Sequence, residues 1–167
     1  MDPIRSQVPP ARFFAGLTEY VFETRLGVVD PQLVDYVAEL LGRFIHNDVI
    51  YRLRNPVGKR LEEVAEMMLE AEARIGDARR EAHRHIGDFT LFWSGLYPEI
   101  AEVRRNRSRL DRFLDYNEQG KLAYSLAAEI PPSDEKAIDG SVLHRLSDEF
   151  EICVEGLKAV KREMGGE

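Results

Sequence analysis

Glu81, His85 and Asp88 stand at i, i+4 and i+7 in the stretch EAHRHIGDFTLFWSGLYPE, residues 81–99. On a helix this spacing puts two carboxylates and an imidazole on one flank. Oxygen and imidazole donors one turn apart suit a divalent metal, so these three are the metal-ligand candidates. Two patterns that would strengthen the reading do not occur. The chain has no Glu-x-x-His, which di-iron bundles carry on two helices, and no His-Glu-x-x-His. Arg79, Arg80 and Arg84 lie close by, so an ion-paired, solvated flank is the competing expectation. His83 falls on a different side of the helix and does not pair with His85.

Other polar residues sit where apolar ones are expected. Asp48 falls on the stripe made by Leu33, Val37, Leu41 and Phe44. A carboxylate there must be paired, hydrogen-bonded or protonated, or the helix must already have left the core. Asn117 shares a helical face with Phe113, Gly120 and Tyr124, so its amide needs a partner on a neighbouring helix or a ligand. Asp48, His85, Asp88, Asn117 and Tyr124 together make the candidate polar pocket. Cys153 lies on an apolar face with no base or basic cluster beside it and is expected to be an inert core residue. Arg104, Arg105, Arg107, Arg109 and Arg112 form the densest basic run, expected as a solvated connection between helices.

The elements that must position these residues are helical throughout. Phe13, Phe14, Leu17, Tyr20 and Val21 recur at helical spacing over 12–25, and Gly27 follows as a stop. Asp30 as N-cap and Pro31 at the first helical position open a second helix, predicted to reach about residue 54 before Asn55-Pro56-Val57-Gly58 ends it. A third runs over 59–75 and a fourth over 76–95. The apolar phase hardly shifts across Gly76-Asp77, so one continuous helix and two helices both fit. In the fourth, Ile75, Ala78, Ala82, Ile86, Phe89, Trp93 and Leu96 form the predicted core face. Gly87 there lowers helix propensity by about 1 kcal/mol relative to alanine. Close approach of a neighbour, with Gly120 as the matching contact, would offset it. Pro98-Glu99 starts a short segment. Ser108 with Asp111 resembles a capping box in aspartate form, opening a helix over 109–129 that stops before Pro131-Pro132. Ser141 caps the last helix, with Leu143, Leu146, Phe150, Cys153, Val154, Leu157 and Val160 on one stripe. No segment alternates as a strand does. The expectation is an all-α, single-domain bundle of five or six helices with short connections, residues 12–164, preceded by an extended arm over 1–11.

Composition limits the function classes. The net charge of −7 argues against a nucleic-acid binder, which neutralises phosphates with clustered Lys and Arg. A single cysteine allows no disulfide within the chain. No window approaches the roughly 20 apolar residues of a membrane span, and the N-terminus lacks the apolar run of a signal peptide. A cytoplasmic protein with neither nucleic-acid nor membrane partner is expected. No Gly-rich phosphate loop or Gly-x-Ser-x-Gly elbow is present, and no cofactor is expected.

The run from Arg80 to Glu99, with His83-x-His85-Ile86-Gly87-Asp88-Phe89 and Leu91-Phe92-Trp93-x-Gly95-x-Tyr97-Pro98, resembles a segment of uncharacterised bacterial all-helical proteins. They are similar also in the element Gly120-Lys121-Leu122-Ala123-Tyr124 and in a final helix like Leu146-Ser147-Asp148-Glu149-Phe150. The resemblance implies a bacterial source and assigns no activity. Two functional expectations follow from the residues. The first is a non-enzymatic helical interaction or regulatory module, forming a homodimer or meeting another protein through the 12–25 helix, with Phe22 directed away from the Phe13/Leu17/Tyr20 face. The alternative is a small-molecule or metal-binding protein, or an enzyme, with a polar site between core helices.

Overall fold

The computed structural model describes residues 11–46 and 52–165; residues 1–10 of the expected N-terminal arm and Asp48 lie outside the described residues, and Ala11 is helical. The described chain is all-helical, and its one strand-like feature is an isolated antiparallel bridge between Arg54 and Arg60. Eight α-helices are present among the described residues, not five or six: α1 (Ala11–Arg25), α2 (Pro31–His46), α3 (Val64–Ala73), α4 (Gly76–Leu96), α5 (Pro98–Arg107), α6 (Tyr116–Glu129), α7 (Gly140–Asp148) and α8 (Phe150–Glu163).

The higher number comes from local chemistry that hydrophobic period does not register. The predicted 59–75 helix starts late, because Leu53 and Leu61 hold each other through a backbone hydrogen bond across the Asn55–Gly58 turn. Arg74 and Ile75 are extended, and Gly76 has φ +58°, so α3 and α4 are separate helices. The predicted 109–129 helix shrinks to α6, preceded by a 3-10 turn at Asp111–Phe113. Ser108 does accept from the Asp111 amide at 2.9 Å. The Asp111 side chain, however, turns away to a different helix, and Asp115 caps α6 by accepting from the Asn117 and Glu118 amides. The last predicted helix breaks at Glu149 (φ −103°, ψ 22°) into α7 and α8, and Asp139, rather than Ser141, is the N-cap of α7.

α4 is the central element: thirteen of its 21 residues are buried, and it lies against α6, α8, α3, α5 and α2. Its core face is rotated from the predicted one. Ile75 and Ala78 are exposed, whereas Leu91, expected behind the face, is buried. α4 and α6 pack closely, but the two glycines do not face each other. A Cβ on Gly87 would fall 2.6 Å from the Tyr124 ring, and one on Gly120 would collide with the Phe150 ring and the Thr90 hydroxyl.

Two apolar clusters result. The larger joins α1, α2, α7 and α8 to one side of α4 and α6 through residues such as Phe14, Phe22, Leu40, Phe92, Leu146 and Leu157. The smaller joins Leu53, Leu61 and α3 to the other side through Met67, Ala82, Ile86 and Phe89. Phe22 belongs to the buried face of α1, where its ring occupies the space a Cβ on Gly156 would need; Phe13 and Tyr20 face outward.

Candidate functional site

Asp88 is only 2% exposed, and the fold answers its charge from three other positions. The Tyr36 hydroxyl from α2 and the Tyr124 hydroxyl from α6 both donate to Oδ1 at 2.6 Å. Arg43 of α2 reaches Oδ2 at 3.4 Å, and Arg84, one turn earlier on α4, donates to the Tyr36 oxygen at 2.8 Å. Each element supplies its group for a local reason. α2 carries Tyr36 on its core face beside Val37 and Leu40. α6 brings Tyr124 against α4 because Gly87 leaves room for the ring.

Burial, and then the adjoining Asp88 carboxylate, push both phenols well above the ordinary tyrosine value. They therefore stay protonated and act as hydrogen-bond donors. Oδ1 is occupied by two short O–H bonds, and the carboxylate and both phenols are buried, while the Arg43 side chain reaches solvent. The arrangement suits the joining of α2, α4 and α6 across the core, because each buried polar group has a partner. It does not present an open base or nucleophile.

The remaining sequence candidates divide by place. His85 is buried one turn before Asp88, with its ring centroid 6.1 Å from those of Phe44 and Phe89. Glu81 pairs with Arg84 at 3.3 Å. Among the described residues no three His, Cys, Asp or Glu side chains gather as a metal-binding group, so Glu81, His85 and Asp88 share a flank without converging. Asn117 stands in the first turn of α6, away from Asp88, in a cleft shared with α4, α5 and α8. Phe113, placed on its face by the sequence, is 76% exposed. Cys153 is fully buried, and burial pushes its thiol up to about 12. In the basic run, Arg104 lies over the Trp93 ring at 4.8 Å and Arg112 over Phe113 at 4.9 Å.

The burial of several polar residues carried no sequence signal. Tyr36 reads as an ordinary aromatic on the helix 2 stripe. Arg80 is 1% exposed and donates to the Ile138 carbonyl, tying α4 to the connection before α7. Asp111, also 1% exposed, accepts from the Val64 and Ala65 amides and from the Tyr116 hydroxyl, each at 2.8 Å. It thus caps α3 from a distant part of the chain. His83 is buried beside Glu72 at 3.7 Å, and burial lowers its pKa.

No family model, curated protein or solved structure matches the chain. No helix among the described residues is long and apolar enough to cross a membrane.

Proposed function

We propose that the protein is a non-enzymatic helical interaction module that pairs with a second copy of itself through α1 and the adjoining side of α2. The observation that carries this reading is that α1 is apolar on two sides. Phe14, Val21 and Phe22 are consumed by the core, yet Phe13 and Tyr20 remain 44% and 54% exposed seven residues apart. Continuing around α1, Gly16 and Arg12 lead to a groove of about 530 Å³ floored by Ala11 and Ala15 of α1 with Ala38 and Gly42 of α2.

Small residues let a second helix approach closely, and the rim is self-complementary. Arg12 lies on the α1 side and Asp35, Glu39 and Arg43 on the α2 side, with no ion pair among Arg12, Asp35 and Glu39 among the described residues. A two-fold axis would set each Arg12 opposite the acidic pair of the other copy, as an isologous contact requires.

Light scattering on the purified chain tests the proposal. The wild type is expected to be dimeric, and Phe13→Glu with Tyr20→Glu to give a monomer with unchanged helicity. A wild type still monomeric at about 1 mM, where even weak millimolar association would register, would overturn it.

A further inference from the structure

A second polar centre lies on the opposite side of α4 from α2, independent of the self-association surface. A cleft of about 380 Å³ opens where the end of α4, α5, the start of α6 and α8 meet. Its volume falls within the range of roughly 300–1,000 Å³ typical of small-molecule sites. Each of the four helices contributes a polar side chain: Ser94 from α4, Glu102 and Arg105 from α5, Asn117 from α6 and Lys158 from α8. Val154, Ala101 and Pro98 supply apolar wall between them.

The hydrogen-bonding state of these groups distinguishes the cleft from the Asp88 cluster, where every group is engaged. Arg105 uses one terminal nitrogen on the Leu114 carbonyl at 3.3 Å, which fixes the guanidinium at the cleft wall. Its Nε is enclosed without a partner. Arg105 is not ion-paired to a carboxylate among the described residues. Among the described residues Lys158 reaches only Glu155, at 3.4 Å. The Ser94 hydroxyl and the Asn117 side-chain amide make no hydrogen bond among the described residues. Of the two acids, Asp115 caps α6 through Oδ1 and keeps its charge and its Oδ2, while Glu102 makes no ion pair among the described residues. The cleft therefore offers two cations, two carboxylates, an amide and a hydroxyl around an apolar wall.

We infer that this cleft binds a free α-amino acid. Its carboxylate would lie against Arg105 and Lys158, its ammonium against Glu102 and the Asn117 amide oxygen, and its side chain against Val154 and Ala101. A guanidinium matches a carboxylate in a planar, charge-assisted pair, and a fixed one loses little freedom on binding.

Trp93 is the sole tryptophan, adjacent to Ser94 in the chain and covered by Arg104, so its fluorescence reports on the site. The full chain is titrated with each of the twenty common L-amino acids, read by Trp93 emission and by saturation-transfer NMR. At least one is expected to bind saturably, with Kd at or below about 1 mM. Arg105→Gln and Asn117→Ala, each checked for unchanged helicity and melting, are expected to weaken that binding about tenfold or more. The matching 2-oxo acid and the decarboxylated amine should each bind at least about tenfold more weakly than the amino acid. Failure of all twenty to bind, or binding untouched in both folded variants, overturns the site. Equal binding of the 2-oxo acid overturns the amino-acid assignment. Because the cleft uses no residue of α1 or α2, failure here leaves the oligomeric state unaffected.

Discussion

Asp88 shows how one buried carboxylate can be made tolerable, and what its removal should do. Truncation to alanine leaves the two phenols and the Arg43 guanidinium without their acceptor. Asp88→Ala is therefore expected to lose about 3–5 kcal/mol in urea unfolding, as when a buried pair is broken from one side. Tyr124→Phe removes a single donor and should lose about 1–3 kcal/mol. The same tyrosines set an alkaline limit. Burial and the Asp88 carboxylate raise the Tyr36 and Tyr124 phenols in the folded state, while in the unfolded chain they titrate near about 10. Above that pH the unfolded chain releases protons that the folded one retains. Stability is thus complete below about pH 9 and falls as pH rises past 10, by about 1.4 kcal/mol per pH unit for each retained phenol. Unfolding curves from pH 8.5 to 11 should show this decline, with a slope shallower by about one proton in Tyr124→Phe. A slope unchanged in that variant would place the alkaline sensitivity elsewhere.

At the scale of the element, α3 depends on residues far from it in sequence. Ten residues are too few to hold a helix in water alone, and its own N-cap, Glu63, makes no capping bond to it. Asp111 instead accepts from its first two amides, while Ser108 donates to Glu63. The segment 108–111 is thereby fastened to the start of α3, and Tyr116 completes the clasp from α6. Asp111→Ala is expected to lower stability by about 2–4 kcal/mol, above an ordinary cap because three bonds to one buried carboxylate are lost. Hydrogen exchange should show the Val64 and Ala65 amides and the rest of α3 losing protection first, with α7 and α8 little changed. Uniform loss in every helix would count against a local clasp.

The whole molecule is organised around α4, which has an apolar cluster on each side. The larger cluster takes in α1, α2, α7 and α8. The smaller one relies on α3, the 53–61 turn and a single buried residue of α5, Ala101. Regions with fewer buried apolar contacts open at lower free energy than the global transition. Native-state exchange is therefore expected to release α3 and α5 in a partial opening while α4, α6 and α8 exchange only with global unfolding. A single opening energy for all helices would show that the clusters behave as one unit. The partial opening would also loosen one wall of the α5 cleft, while the α1–α2 surface stayed rigid.

Helical period in the sequence determined the all-α class, the core residues of α2 and α8, and the importance of 81–96, because burial on one face repeats every 3.6 residues wherever the helix packs. Gly27 marked the end of α1 and Asp30-Pro31 the start of α2 correctly, since caps are local chemistry: Asp30 accepts from the Leu33 amide, and Gly27 has φ +65°. The break between α3 and α4 was signalled by Gly76-Asp77 although the apolar phase hardly shifts there; those at Ser108–Asp115 and at Glu149 were hidden, because apolar residues keep nearly the same phase across them. On α1 the sequence set Phe22 apart from the Phe13/Leu17/Tyr20 face, but it did not tell that the Phe22 side is the buried one. Which side faces the core is decided by α8, where Gly156 leaves room for that ring. Asp88 and Tyr124 were legible as polar groups in apolar surroundings. Tyr36, 52 residues from Asp88, was not, and neither was the meeting of Asp88 with Tyr124 across 36 residues. A buried charge announces only that it needs partners. Which residues answer it depends on how α2, α4 and α6 cross, and only the tertiary packing decides that.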